Sequence, residues 1–165
     1  MSELIVLIGP PCSGKSTFTK DLLDNRPDKN YVVISTDDLI EKYGKENNLT
    51  YNQVFDSCDF KTFESDMFKS FYEELQKGSN IIIDRTNMKI KSRNKFVLPC
   101  KNDSLKRYTD ITAVGFEKPV DVLLERNKIR KQSTGKDIPK VAFYSMIKSY
   151  EAPTEDEGFT DIIFM

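Results

Sequence analysis

The chain of 165 residues predicts an α/β fold, a five-stranded and mainly parallel sheet with helices on both faces. Three observations predict it. Five short apolar runs are too brief to be core helices, longer amphipathic segments alternate with them, and a Gly- and Pro-punctuated turn joins the first run to a helical segment. Ligands of such sheets sit at the carboxyl ends of the strands, so the chemistry is sought there.

Leu4-Ile5-Val6-Leu7-Ile8 reads as the first buried strand, and a helix over 15–24 follows the turn. Tyr31-Val32-Val33-Ile34 is the second strand, with a short helix over 38–43 behind it. Between Asp59 and Lys77, Phe60, Phe63, Met67, Phe71 and Leu75 recur at three- and four-residue steps. That spacing predicts a long amphipathic helix, closed by Gly78. Asn80-Ile81-Ile82-Ile83-Asp84 is the third strand. A helix over 91–98, a strand over 111–116, helices over 120–131 and 139–149 and a last strand over 161–165 complete the order. The length suits one domain, residues 1–165.

Composition excludes several chemistries. Without histidine there is no Ser-His-Asp or Cys-His system and no mixed zinc site. A general base must be a carboxylate, a lysine or a thiolate. Lys and Arg number 25 against 26 Asp and Glu, a net −1 that argues against a large electrostatic grip on nucleic acid while leaving room for a local basic patch. Apolar runs fall far short of the ~20 residues that span a bilayer, so no membrane association is expected. Cys12, Cys58 and Cys100 are too widely spaced for a CxxC pair and cannot all pair with one another. With no charged-then-apolar leader, a reducing cytoplasm is the expected compartment.

Gly9-Pro10-Pro11-Cys12-Ser13-Gly14-Lys15-Ser16 satisfies G-x-x-x-x-G-K-[ST], between a strand and a helix start as that motif requires. The glycines let the backbone curl so that several N–H groups aim at one anion, and the helix adds its positive end. Lys15 would reach the β- and γ-phosphates and the Ser16 hydroxyl would join a Mg²⁺ shell. The bland alternative is a Gly-Pro turn with an exposed lysine.

Three more strand ends carry candidates. Strand two ends in Ser35-Thr36-Asp37-Asp38, where Asp37 or Asp38 could accept the proton of an acceptor hydroxyl; Asp37 could equally cap the next helix. Strand three ends in Asp84-Arg85-Thr86-Asn87, a Walker B-like carboxylate for Mg²⁺ or a turn-capping aspartate. Asn87 either bonds a substrate or braces the loop. Arg126 and Arg130 share a helix face, which is either a solvated surface or a pair of phosphate contacts on a lid of about residues 120–140 hinged near Gly135 and Pro139.

With these pieces in place the chain resembles the polynucleotide 5′-kinase branch of the P-loop kinases. The resemblance rests on the phosphate loop, Ser35-Thr36-Asp37-Asp38, Asp84-Arg85-Thr86-Asn87 with Arg93 downstream, Arg126-Asn127 with Arg130 and Pro139, and Tyr150-Glu151-Ala152-Pro153-Thr154 with Glu157-Gly158-Phe159. It implies an adenylate-kinase-like P-loop NTPase fold with sheet order 2-3-1-4-5. It implies ATP and magnesium on Lys15, Ser16 and Thr17, Asp37 as general base, Arg126 or Arg130 on nucleotide phosphates, and the loop at Pro153 and Thr154 near the adenine. Asp38, Thr86, Asn87 and Arg93 are the further residues expected on the acceptor side. Relatives that phosphorylate nucleic acid typically carry an arginine three residues after the catalytic aspartate, and that position is Ile40 here. The phosphatase domain that several relatives carry is not expected within these 165 residues. The expected activity is transfer of the ATP γ-phosphate to a hydroxyl, foremost a 5′-hydroxyl of DNA or RNA in a repair setting. A kinase of a nucleoside, nucleotide or other metabolite is the second reading, and an ATP-binding module without an acceptor the third.

Overall fold

The computed structural model describes residues 1–57 and 59–165; Cys58, one of the three cysteines noted above, lies outside them. Its sheet consists of β1 (Ser2–Ile8), β2 (Val32–Ile34), β3 (Ile81–Ile83), β4 (Tyr108–Gly115) and β5 (Asp161–Phe164), in the order β2-β3-β1-β4-β5 with every pairing parallel. Central β1 is apolar from Leu4 to Ile8 because neighbours cover both its edges and helices both its faces. Its side chains alternate accordingly. Leu4, Val6 and Ile8 join Met67, Phe71, Phe96 and Val97 in one core, whereas Ile5 and Leu7 join Ile82, Val114 and Phe116 in the other.

The helices are α1 (Lys15–Asn25), α2 (Thr36–Asn47), α3 (Tyr51–Ser57), α4 (Phe60–Lys77), α5 (Ile90–Lys101), α6 (Val120–Thr134) and α7 (Lys140–Lys148), with short 3₁₀ turns at Pro27–Lys29 and Glu155–Glu157. The long helix α4 ends at Gly78, whose φ of 72° sets the left-handed cap that the periodicity predicts. Two elements differ from expectation. Helix α2 starts at Thr36 and runs to Asn47, well beyond residues 38–43, because Ser35 caps it: its Oγ accepts from the Asp38 amide at 3.3 Å. Asp37 is therefore not the cap. Helix α3 was not expected at all; with Val54 its one buried residue, its seven residues show no apolar stripe. Among the described residues no helix is long and apolar enough to cross a membrane.

Candidate active site

The site is built from the strand ends inward. After β1 the chain bends sharply, with Gly9 N donating to Thr86 O at 2.9 Å. A Cβ on Gly9 would lie 2.7 Å from Ser13 Oγ and 3.0 Å from Phe116, so this approach needs glycine. Cys12 and Gly14 take left-handed φ of 65° and 107°, which curls residues 9–14 into a loop above α1. Helix α1 has no side-chain cap and no acid in its first turn, leaving its first N–H groups and its positive end for an anion. Lys15, 9% exposed, folds back and donates to the carbonyls of Gly9 and Pro10 at 2.8 Å each. Burial pushes its ammonium down to about 8, against the opposing pull of Asp84 and Asp37.

Facing the loop across the crevice are three carboxylates. The pairing Ile34↔Ile83 aligns the ends of β2 and β3, and Asp84 N donates to Ile34 O at 3.0 Å. Asp84 thereby stands beside Asp37 and Asp38 in the first turn of α2. Removal from water raises Asp84, with Lys15 opposing and Asp38 and Asp37 adding to the rise. Desolvation, Glu41 and Asp37 raise Asp38 in the same way. Ser13, Gly14, Lys15, Ser16, Thr17, Asp37, Asp38, Asp84, Thr86, Arg126 and Arg130 all line one cavity of about 740 Å³.

Both predicted arginines come from the lid side. Arg126 donates to Cys12 O at 3.0 Å, placing its guanidinium over the loop. Arg130 reaches Asn127 Oδ1 at 3.3 Å, while its buried Nε has no hydrogen-bond partner among the described residues. A buried donor left so is costly, and an anion in the cavity would supply an acceptor. Asn127, nearly buried, clasps the lid turn by donating to Ile138 O at 3.0 Å and accepting from Ile138 N at 3.3 Å. That turn, 135–139, crosses to the opposite wall: Lys136 Nζ pairs with Glu41 and sits 4.5 Å from the Tyr51 ring centroid, and Asn52 Nδ2 donates to Gly135 O at 3.3 Å.

Sequence reasoning missed the residues of α3. Tyr51 Oη donates to Asp37 Oδ1 at 2.6 Å, and burial together with that carboxylate raises the phenol above its ordinary value. Tyr51, Phe55 and Phe60 line a second cavity of about 660 Å³ that also borders Asp37, Asp84, Arg85, Thr86 and Pro139. The signal available was the run of three aromatics spaced four and five residues apart.

Several of the expected site residues serve the fold or lie away from the cavity. Arg93 does not face an acceptor. It is 0% exposed, paired with Glu157 through two hydrogen bonds at 2.8 and 2.7 Å, and it donates to Asn87 O at 3.0 Å and Glu151 O at 2.9 Å. Asn87, at φ 48° and 3% exposed, donates to Leu7 O at 2.8 Å and so braces the loop from behind. Pro153 is buried and Thr154 forms a capping box with Glu157; neither lines the cavity beside the phosphate loop. Ile40 is 0% exposed, a core residue of α2. Among the described residues no cluster of three or more carboxylates or thiols is arranged to hold a metal alone. The Ser16 hydroxyl with the crowded Asp84 carboxylate is instead a donor pair suited to Mg²⁺, which takes its other ligands from phosphate and water.

A phosphate loop after the central strand of a 2-3-1-4-5 parallel sheet, roofed by a helical lid, defines the P-loop kinase fold. The profile of the AAA domain family matches residues 4–153, and the chain belongs to that family. It is 24% identical over 161 residues to the bifunctional polynucleotide phosphatase/kinase of Schizosaccharomyces pombe, covering 97% of this chain and 32% of that protein. The chain thus spans about a third of the length of the curated relatives it matches. Among solved structures, a chain of the Pnkp1/Rnl/Hen1 complex is similar at 25% identity and TM-score 0.53, over 76% of this chain and 38% of that one. Shikimate kinase from Acinetobacter baumannii, in complex with shikimate, shares the fold at 16% identity and TM-score 0.58, over 99% and 83% of the respective chains.

Proposed function

We propose that the protein is an ATP-dependent phosphotransferase that moves the γ-phosphate to a 5′-hydroxyl of DNA or RNA. The observation that carries the reading is that Asp37 borders both cavities, the one beside the phosphate loop and the one beside α3. A donor phosphate and an acceptor hydroxyl can therefore meet at one carboxylate. The polynucleotide kinase names among the relatives support the choice of acceptor.

Each side chain has a defined task. Loop amides and the start of α1 bind the triphosphate, and Lys15 exchanges its two carbonyl acceptors for phosphate oxygens. Mg²⁺ held by Ser16 and Asp84 would neutralise charge on the β- and γ-phosphates. Arg126 and Arg130 offset charge on the transferred group, and Asp37 orients the hydroxyl and takes its proton. Tyr51 fixes the Asp37 carboxylate through the 2.6 Å bond. Positioning supplies most of the acceleration in a loose phosphoryl transfer, which asks little basicity of the aspartate.

Labelled ATP incubated with single-stranded oligonucleotides bearing free 5′ ends, beside nucleosides and other alcohols, tests the reading. Label on the oligonucleotide 5′ end supports it. Label only on a metabolite favours the second reading, a small-molecule kinase, for which the buried Ile40 and the acidic cavity beside α3 speak. Binding of ATP with no transfer to any acceptor leaves the third reading.

A further inference from the structure

The cavity beside α3 has a composition at odds with gripping a polyanion. Among the described residues its lining carries four carboxylates, Asp37, Asp56, Asp84 and Asp137, against one cation, Arg85, which is itself ion-paired with Glu64 at 3.1 Å. Lys131 matches Asp137 at 2.8 Å from outside the lining. A phosphate placed in this cavity would meet like charge on most sides and no uncommitted cation of the wall.

What the cavity does offer is rings. Tyr51 and Phe55 lie nearly parallel, 17° apart with centroids at 6.1 Å, and Phe60 meets Phe55 edge-on at 5.7 Å. Phe55 is 50% exposed and Phe60 37%, so apolar ring area beside the reacting carboxylate stands open to solvent. A cationic acceptor suits the carboxylates but not the ring over Asp37, because the Lys136 ammonium already sits 4.5 Å from the Tyr51 centroid. A planar uncharged group fits both conditions. The volume, about 660 Å³, is that of a site for one small molecule and not for a length of strand.

From this juxtaposition we propose that the acceptor is recognised as a single uncharged nucleoside unit, its base stacked on the aromatic wall of α3 and its 5′-hydroxyl at Asp37, with no phosphate required in the cavity. The inference rests on the phosphotransferase reading above and specifies how its acceptor is held. In the transfer, the 5′-oxygen bonds to the γ-phosphorus as that atom's bond to the β–γ bridging oxygen breaks. The hydroxyl proton passes to the Asp37 carboxylate and ADP leaves.

The experiment compares thymidine, thymidine 3′-phosphate and a 5′-hydroxyl oligothymidylate as acceptors at about 50 and 200 mM salt. Thymidine is expected to be phosphorylated with kcat/KM within about tenfold of the other two. The acceptor KM should move by less than about twofold with salt, because no acceptor phosphate is neutralised in the cavity. Phe55→Ala should raise the acceptor KM roughly tenfold with kcat and the ATP KM unchanged, and Phe55→Trp should restore it while Phe55→Leu does not. The half-exposed position makes a folding defect avoidable, and the unchanged ATP KM checks for one. Thymidine left untouched while the oligonucleotide is phosphorylated with a steep salt dependence overturns the stacking inference and leaves the proposed function standing. No transfer to any of the three 5′-hydroxyls overturns both.

Discussion

Replacing Arg93 by Met removes the most heavily bonded buried charge described above. The change strands the Glu157 carboxylate, itself 6% exposed, and leaves the carbonyls of Asn87, Glu151 and Ala152 without the donors they now have. Breaking one side of a buried ion pair costs about 3–5 kcal/mol. Unfolding entropy near Tm is about 2.1 cal/mol/K per residue, or about 0.35 kcal/mol/K for 165 residues. The expected loss is therefore roughly 9–14 °C in Tm, read by circular dichroism at fixed protein concentration. Arg93→Met with Glu157→Met should recover part of the loss, since the stranded charge is gone while the three carbonyls remain unserved. At a temperature where Arg93→Met is folded, its acceptor and ATP KM values should stay within about twofold of the parent, because a buried brace touches neither substrate. A variant that melts within about 3 °C of the parent yet loses acceptor affinity would falsify the structural assignment and return Arg93 to the substrate.

Other outcomes follow from the same geometry. Asp37→Asn should lower kcat at least about 100-fold with ATP affinity within a few-fold, measured by radiolabel transfer and nucleotide titration; near-normal turnover removes the aspartate from its role. With the Lys15 ammonium lowered to about 8 in the free protein, bound phosphates should draw its value back up, so ATP binding at about pH 8–9 takes up a proton and weakens as the pH rises further. Calorimetry in buffers of different ionisation enthalpy detects that uptake, and its absence contradicts the buried lysine. Glu3 provides a stability test at the other end of the scale. Burial works against its charge, yet hydrogen bonds from Lys29, Tyr31 and Arg26 hold it at about 2 instead of 4.5. A depressed carboxyl stabilises the fold above its unfolded value and gives up that contribution as the pH falls from about 4.5 towards 2. Glu3→Gln should flatten the acid limb of Tm against pH; an unchanged limb locates acid sensitivity elsewhere.

The sheet was legible because each strand is a contiguous apolar run, and the phosphate loop because its chemistry demands fixed residue types at fixed spacing. Lys15, Ser16, Asp37, Asp84, Arg126 and Arg130 converge on one cavity for the same reason: parallel strands deliver their carboxyl ends to a common edge. Arg93 was assigned to the acceptor side by the resemblance alone, not by the pattern of its own helix. Its helical register told a different story, since Arg93 shares a face with buried Phe96, Val97 and Cys100. Its partner Glu157 lies 64 residues downstream, beyond the reach of any local pattern. Helix α3 escaped notice because its aromatic side chains stay partly exposed, so burial leaves no periodic trace in the sequence.

The Lys136–Glu41 pair, the Lys136–Tyr51 ring contact and the Asn52–Gly135 hydrogen bond are all near the surface, where such interactions contribute about 1–3 kcal/mol together. Contacts of that strength, taken alone, would leave roughly 1–15% of molecules without them at any instant. Because Lys136 packs on the same tyrosine that hydrogen-bonds Asp37, the 135–139 turn and the proposed base are linked through a single ring.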